Sequence, residues 1–317
     1  MVNVAQRLSL PLVAGALLAC GACTTGSPSE TPRAGAPSLL DQKYLTAADR
    51  IVTVEGIPFR VRDEGPRNAP ALVLIHGFSF SLESWDKWAA GLVPHYRVIR
   101  FDLAGHGLSG ADPEGRYDSA TRMRRILALM DALGIRRASF AGNSYGGLLA
   151  WHIAAAHPRR VDKLVLVDSA AWSINGVTEK PAPVPPAMRA YLLNPQPAMV
   201  RASAGLIFAD PAQLTAARQD MMHDMIARPG NGPALVAHLE QFTLAGPEPD
   251  LALISAPTLI LWGRADRVIP VEQAWLLHQA IKGSKLVIYE GVGHAPQEEA
   301  AAQSLNDLRH FLVSDEK

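Results

Sequence analysis

The chain is poor in cysteine: its 317 residues contain two, Cys20 and Cys23, and both lie near the N-terminus. Disulfide bonds therefore play no part in the stability of the body of the protein, which suits either the cytoplasm or the periplasm. No spacing of cysteine and histidine is typical of a zinc site.

An excess of charge of either sign is also absent. Lysine plus arginine number 30, and aspartate plus glutamate number 30. Proteins that bind nucleic acid carry basic stripes, so the balance excludes nucleic acid as an expected partner. The sequence has no internal repeat, and its length and 48% hydrophobic share suffice for one large α/β core with an insertion.

The N-terminal apolar run is too short to span a membrane. Residues 8–19 form a stretch of 12 residues without charge, whereas a spanning helix needs ~20. The run fits a signal peptide over residues 1–19. Leu17-Leu18-Ala19-Cys20 resembles the lipobox of bacterial lipoproteins, in which the cysteine is acylated after cleavage. We expect an exported chain that begins at Cys20 and is held on the membrane by this lipid anchor; the alternative is an ordinary signal peptide.

Composition divides the rest of the chain. Residues 20–45 begin with a segment rich in Gly, Pro, Ser and Thr, which predicts a flexible tether. Strands alternate with helices over residues 46–172 and again over 250–317, which predicts a single α/β core in two pieces. Between them, residues 173–249 break this alternation, so we predict an inserted helical cap.

The predicted cap has two notable compositional features. Six prolines fall between Pro181 and Pro197, and helical stretches follow. Five of the eight methionines lie in the segment. Methionine suits an adaptable apolar wall around a substrate, but the same residues could simply pack the cap helices together.

The most informative motif is the hexapeptide Gly-Asn-Ser-Tyr-Gly-Gly at residues 142–147. A short apolar strand precedes it and an apolar helix follows, so the motif is G-x-S-x-G in a strand–turn–helix context. Such a turn raises the hydroxyl of Ser144 above the edge of a sheet, where a base can reach it. Gly142 and Gly146 leave room for the close crossing of strand and helix.

Three other strand ends carry chemistry-bearing residues. The apolar strand at 71–75 leads into His76-Gly77-Phe78, the strand at 258–261 leads into Asp266, and the strand at 286–289 leads into His294. An open parallel sheet gathers such residues at one edge, beyond the carboxyl ends of its strands. A serine hydroxyl needs a base within hydrogen-bond reach, and that base needs an orienting carboxylate.

From about residue 50 to the C-terminus, these motifs and their order resemble the α/β-hydrolase family. The resemblance implies an α/β fold: a mostly parallel central sheet, helices on both faces and an inserted helical cap over the active site. It also implies that Ser144 is the nucleophile, His294 the base and Asp266 the acid. The backbone N–H groups of Tyr145 and Phe78 would form the oxyanion hole.

The acid has two rivals. Asp168 ends the strand after the nucleophile, where some members of the family place this residue, and Asp102 ends an earlier strand. Asp266 is favoured because residues 262–270 read Trp-Gly-x-x-Asp-x-x-x-Pro, which matches the usual acid loop of the family.

These residues predict a serine hydrolase that cleaves carboxylic esters of small molecules and needs neither a cofactor nor a metal. Serine at position 144 argues against the dehalogenase and epoxide-hydrolase branches, which resemble this chain but place aspartate there. The sequence around Ser144 also resembles that of C–C bond hydrolases of aromatic breakdown, although the loop at 76–80 has fewer glycines than theirs. A catalytically inactive binding protein is the third reading. The substrate and the oligomeric state stay open.

Overall fold

The computed structural model describes residues 38–314. The predicted signal peptide, most of the predicted tether and Cys20 lie outside the described residues. Within the described part of the chain, we find no helix with the length and apolar character that crossing a membrane requires.

Residues 38–314 contain one eight-stranded sheet with the order β1-β2-β4-β3-β5-β6-β7-β8. β1 and β2 pair antiparallel, as do β2 and β4, while all other neighbouring strands run parallel. This arrangement confirms the predicted α/β-hydrolase fold. The strands are β1 (Asp49–Val54), β2 (Ile57–Glu64), β3 (Ala71–Ile75), β4 (Arg97–Phe101), β5 (Ala138–Asn143), β6 (Val161–Val167), β7 (Thr258–Gly263) and β8 (Lys285–Tyr289).

Helices cover both faces of the sheet. Helices α3 and α4 pack against one apolar face of the sheet. On the other face, α2 and α12 help to bury Trp85, Trp88 and Phe311. The helices are α1 (Leu39–Tyr44), α2 (Asp86–Leu92), α3 (Ser119–Ala132), α4 (Tyr145–Ala156), α5 (Pro186–Leu193), α6 (Pro197–Ile207), α7 (Ala216–Ala227), α8 (Asn231–Gln241), α9 (Glu248–Leu251), α10 (Glu272–Ala280), α11 (Pro296–Glu299) and α12 (Ala301–Val313).

The central strands form because their residues are apolar on both faces. Every residue of β5 and of β7 is buried, as expected of parallel strands with helices on each side. The antiparallel hairpin of β1 and β2 turns at Glu55 and Gly56, which both have positive φ, 49° and 80°. Two such residues are the signature of a tight two-residue hairpin turn.

Helices α5 to α9 all lie between β6 and β7 in the chain, within or next to the segment 173–249 predicted as a cap. Side-chain oxygens cap two of the turns in this segment. Asp210 caps only a short 3-10 turn at Pro211–Gln213, and α7 begins after Thr215, whose hydroxyl accepts from Arg218 N. The proline-rich stretch also contains α5. A helix can begin there because Pro186 lies in its first turn, where a backbone N–H would have no acceptor within the helix.

Helix α1 lies inside residues 20–45, the segment predicted as a flexible tether, so ordered chain begins earlier than residue 46. Ser38 and Asp41 form a reciprocal capping box that stabilises it. Asp224 on α7 then binds the helix, accepting from Lys43 Nζ at 2.7 Å and from Tyr44 Oη at 2.6 Å. The tether composition therefore ends at the start of this helix.

Candidate active site

Ser144 lies in the elbow, which is the sharp turn of residues 142–147 between β5 and α4. Its backbone angles are φ 57° and ψ −119°, a conformation that non-glycine residues adopt only when the surroundings hold them there. Crowding shows why the neighbours are glycines: a Cβ at Gly142 would lie 2.2 Å from the Gly146 carbonyl oxygen, and one at Gly146 would lie 2.1 Å from the Ile75 oxygen. The half-buried Ser144 is thereby lifted above the sheet edge.

This crowding gives the first prediction. Gly146→Ala should lower the free energy of unfolding by about 3 kcal/mol, the upper range for overpacking, because the methyl group meets rigid backbone. Urea denaturation measures the change. Gly205→Ala in α6 is the matched control: its nearest contact would be 3.8 Å away, so removal of a helical glycine should stabilise by up to ~1 kcal/mol. Equal effects of the two variants would contradict this picture of the elbow.

The structure brings together the predicted base and acid. His294 Nδ1 lies 2.7 Å from Asp266 Oδ2, while Asp266 Oδ1 accepts from the backbone N–H groups of Val268 and Ile269 at 2.7 and 3.0 Å. Burial alone would raise the pKa of Asp266, but the charge and hydrogen bond of His294 and the N–H of Val268 hold it below its usual value. Asp266 is thus set up as a carboxylate, which fixes the proton of His294 on Nδ1 and leaves Nε2 free to act as a base.

Asn143 connects this pair to the elbow. Its Nδ2 donates to the carbonyl of His294 at 3.0 Å and to that of Val167 at 3.1 Å. The side chain is fully buried, so one amide holds the loop of the base against the strand that carries Ser144. The sequence showed Asn143 only as a variable position in the motif and gave no signal of this role.

A second set of hydrogen bonds, centred on Glu299, holds the loop that carries His294. The carboxylate of Glu299 accepts from the backbone N–H groups of Gly293 and Ala295 at 3.0 and 3.2 Å, and from Ala209 N at 2.7 Å. His294 N also donates to the Ile207 carbonyl at 2.7 Å. The segment after α6 is therefore joined directly to the loop of the base, a connection that sequence reasoning missed.

The two expected oxyanion donors belong to segments that adjoin Ser144. Tyr145 is the first residue of α4, so its N–H has no acceptor within the helix and lies at the positive end of the helix dipole. Phe78 follows Gly77, where a Cβ would approach the Ser144 Cβ to 3.1 Å. The loop after β3 thus passes directly beside the nucleophile.

His238 on α8 contacts both of these residues and was not identified from the sequence. Its ring centroid lies 4.3 Å from that of Tyr145 and 5.0 Å from that of Phe78, and its side chain is buried. A helix inserted between β6 and β7 thereby packs on both oxyanion residues. The sequence shows His238 in a helical stretch of the predicted cap. This position does not distinguish His238 from the residues around it.

His76 and His106 complete a buried group of imidazoles. His76 Nδ1 donates to the Gly77 carbonyl and Nε2 accepts from Leu103 N, so the ring is neutral and ties two loops together. Burial lowers the pKa of His76 to about 4. Burial, with the charge of Arg122 nearby, lowers the pKa values of His106 and His238 well below 6.5.

These neutral imidazoles predict sensitivity to acid. The unfolded chain binds protons at these groups near pH 6.5, while the folded protein does so only at much lower pH, so their contribution to stability is lost as the pH falls through that window. His238→Gln removes one such group. Its free energy of unfolding in urea should fall less between about pH 7.5 and about pH 5 than that of the wild type. His95, which is exposed, is the control: His95→Gln should keep the wild-type difference, and an unchanged difference in His238→Gln would refute the prediction.

The rival acids have other surroundings. Asp102 accepts from the backbone of Leu82 and Leu108, each at 2.8 Å, and pairs with Arg60, so it organises the loop after β4. Asp168 is buried close to Asp266: ligand atoms of Asp168, Asp266 and His294 all lie within 4.8 Å of one another. That set is small enough to share a metal ion, but His294 Nδ1 and Asp266 Oδ2 already bond to each other.

Comparison with known proteins agrees with this architecture. Residues 70–301 match the model of a family described as alpha/beta hydrolase fold. A protein of Pseudomonas savastanoi pv. phaseolicola named "Putative carbamate hydrolase RutD" is 34% identical over 242 residues, which cover 72% of this chain and 88% of the relative.

Two further relatives have different names. A 2-hydroxymuconate semialdehyde hydrolase of Pseudomonas putida is 30% identical, with 83% of this chain and 94% of the relative covered. The crystal structure of a membrane phospholipase A superposes with a TM-score of 0.72 at 30% identity, covering 83% of this chain and 85% of that one. Fold, strand-end residues and relatives lead to one conclusion: the chain belongs to the alpha/beta hydrolase fold family.

Proposed function

We propose that this hydrolase is a serine carboxylesterase that forms an acyl-enzyme on Ser144. The observation that carries the proposal is the joined unit of three parts: a serine held at positive φ, a base–acid pair at 2.7 Å, and the Asn143 amide that links their loops. A structural serine in a turn would need none of these connections.

The proposed reaction has two halves. Ser144 Oγ attacks the ester carbonyl while His294 Nε2 takes its proton, and Asp266 steadies the resulting imidazolium through Nδ1–H. The N–H groups of Tyr145 and Phe78 hold the oxyanion. His294 then protonates the leaving alcohol, and water attacks the acyl-enzyme by the same route.

An apolar groove indicates the kind of ester. Phe242 lines the groove, and the centroid of its ring lies 5.5 Å from that of Tyr145. The groove has a volume of 380 Å³. Apolar side chains dominate its lining: Ile174, Val177, Ala182, Val184, Met188, Leu239 and Phe242. We infer that it takes the hydrocarbon part of the substrate.

A series of p-nitrophenyl esters of rising acyl length tests this function. Each methylene that enters the groove should raise kcat/KM by up to about fourfold, the equivalent of ~0.8 kcal/mol. Met188→Glu, which puts a charge on the groove wall, should flatten this series. Met199→Glu is the matched control, because Met199 is equally exposed, 38% against 39%, but does not line the groove. A flat series in the wild type would contradict the groove assignment, and failure to cleave any ester would contradict the esterase.

C–C bond hydrolysis is the second candidate, and the relatives' names favour it as much as ester cleavage. One observation speaks for it. Arg122 is buried under the ring of Tyr145, and its second terminal nitrogen has no hydrogen-bond partner in the described part of the chain; it could pair with the carboxylate of a dienoate. Against it, Arg218, whose guanidinium lies over the ring of Phe80, is neutralised by Glu298 at 3.1 Å.

A 2-hydroxy-6-oxo-dienoate assayed beside the esters separates the two candidates. The esterase proposal expects the best ester to exceed the dienoate in kcat/KM by at least ~10²-fold, because burying a dienoate carboxylate costs free energy unless a cation pairs with it, and Arg122 is held under the ring of Tyr145. Arg122→Lys should leave the ester rates unchanged. A dienoate preference that Arg122→Lys abolishes would establish the C–C hydrolase instead.

We also propose export and membrane attachment through Cys20, supported by the lipobox-like sequence. The surface of α5 and α6 is compatible with a lipid surface: it exposes Leu193, Met199 and Leu206, and residues 181–209 contain no acidic residue. Cys20→Ser should move the enzyme from the membrane fraction to the soluble one or leave an uncleaved precursor, whereas Cys23→Ser should change nothing. A soluble wild-type protein that still begins at Met1 would refute the anchor.

A further inference from the structure

Asp168 is a buried carboxyl group that the mechanism above does not use. It follows β6 directly and has a positive φ of 43°, a strained conformation for a residue with a side chain. Its accessible surface is 0%. Strain and complete burial together require surroundings that hold the side chain in place.

The hydrogen bonds of Asp168 are incomplete. Oδ1 accepts from Gly263 N at 3.0 Å, whereas Oδ2 meets no donor among residues 38–314. The neighbouring acidic group is the carboxyl of Asp266, and the ligand atoms of Asp168, Asp266 and His294 all lie within 4.8 Å of one another. Two carboxyl groups can bond directly only if one of them carries a proton.

The partners of Asp266 decide where that proton lies. Asp266 already accepts three N–H bonds, from His294, Val268 and Ile269, and needs its negative charge to do so. Asp168 accepts one. Burial, and then the charge of Asp266, raise the pKa of Asp168 well above its ordinary value.

The other charged groups around the pair do not change this assignment. Glu299 on α11 faces the same space, and its negative charge disfavours ionisation of Asp168 as well. Tyr289 at the end of β8 donates its hydroxyl to Asp307 and offers no donor to Asp168. His294, when protonated, adds a positive charge to this group, and it is bonded to Asp266.

We propose that Asp168 is a neutral carboxylic acid at pH 7 that donates its Oδ2–H to the Asp266 carboxylate and so positions the acid of the catalytic pair. A second buried anion beside Asp266 would lack a counter-ion, and sharing one proton removes that cost. Asp168 is a positioning residue: it acts on His294 only through Asp266.

Infrared difference spectroscopy tests the protonation state without any substrate, so its outcome is independent of the proposed esterase function. At pH 7, wild type minus Asp168→Asn should show loss of one protonated-carboxyl C=O stretch. Loss of a carboxylate band instead would overturn the proposal. Retained circular dichroism and thermal unfolding confirm that the variant is folded.

Kinetics then test the positioning role, and this arm rests on the proposed function. Asn can donate from Nδ2 and accept at Oδ1, so Asp168→Asn should keep kcat within about threefold and leave the acid limb of the kcat/KM–pH profile, which reports on His294, within about 0.3 units. Asp168→Ala should lower kcat by ~10–10²-fold, since Asp266 loses its support. An acid limb lowered by more than about one unit in Asp168→Asn would show that wild-type Asp168 is ionised. Equal activity of Asp168→Ala and the wild type would rule out positioning.

Discussion

Ser144→Ala lowers kcat for esters by at least ~10³-fold and abolishes covalent labelling by a fluorophosphonate, while KM changes little. The expectation follows from the elbow: the hydroxyl that the strained backbone presents is the only part of Ser144 that the variant loses. Because the backbone N–H groups of Tyr145 and Phe78 remain, a residual rate above that in water should persist.

Ser169→Ala is the matched control for this experiment. Ser169 is a fully buried serine whose hydroxyl donates to the Ala170 carbonyl, so its loss should leave rate and labelling intact. Labelling that survives in Ser144→Ala would mean that another residue is the nucleophile. A wild-type protein that never labels would favour the catalytically inactive binding protein.

Asp266→Asn lowers kcat by about 10⁴-fold, because the carboxamide cannot serve all three donors that the carboxylate now accepts. Its oxygen can face either the two backbone N–H groups or His294, but not both. The imidazole is then held in the wrong tautomer or loses its orientation, and Nε2 no longer acts as the base.

Asp168→Asn provides the comparison, since it removes a carboxyl group from the same cluster and should cost at most about threefold if that group is neutral. Thermal unfolding of both variants separates chemistry from folding. If Asp168→Asn is the slower enzyme and both variants are folded, the acid of the pair is Asp168 and the assignment of Asp266 is wrong.

Sequence reasoning predicted most of the fold because its signals are local. The apolar runs at 71–75, 258–261 and 286–289 and the elbow motif need only neighbouring residues to be recognised. Strands β3, β7 and β8 lie where these runs lie, with β7 longer by two residues and β8 longer by one. The order of the strand-end residues then follows from the parallel sheet. The structure confirms the fold, and it places His294 Nδ1 2.7 Å from Asp266 Oδ2.

What the sequence could not predict depends on contacts between distant segments. His238 reaches Tyr145 and Phe78 only because α8 folds back across the sheet edge, and Glu299 joins the segment after α6 to the loop of the base. The same limit applies to Asp168. Its position in the sequence made it a rival acid, and only the structure shows that it lies close to Asp266 and that its Oδ2 meets no donor among the described residues.

The methionines show the same limit. Met222 is buried in an apolar cluster, which is the packing role, and Met225 is buried as well, whereas Met188 lines the groove beside Phe242. Composition alone indicated an adaptable wall but could not assign individual residues to it, because burial depends on how the inserted helices pack.

Peptide mass spectrometry of enzyme quenched during turnover of a slowly deacylating ester is the most direct test of the central claim. The proposal predicts an acyl group on the peptide that contains Ser144, formed within the time of the burst of released alcohol and absent from Ser144→Ala. A burst without acylated Ser144, or an acyl group on any other residue, would contradict nucleophilic catalysis at this position.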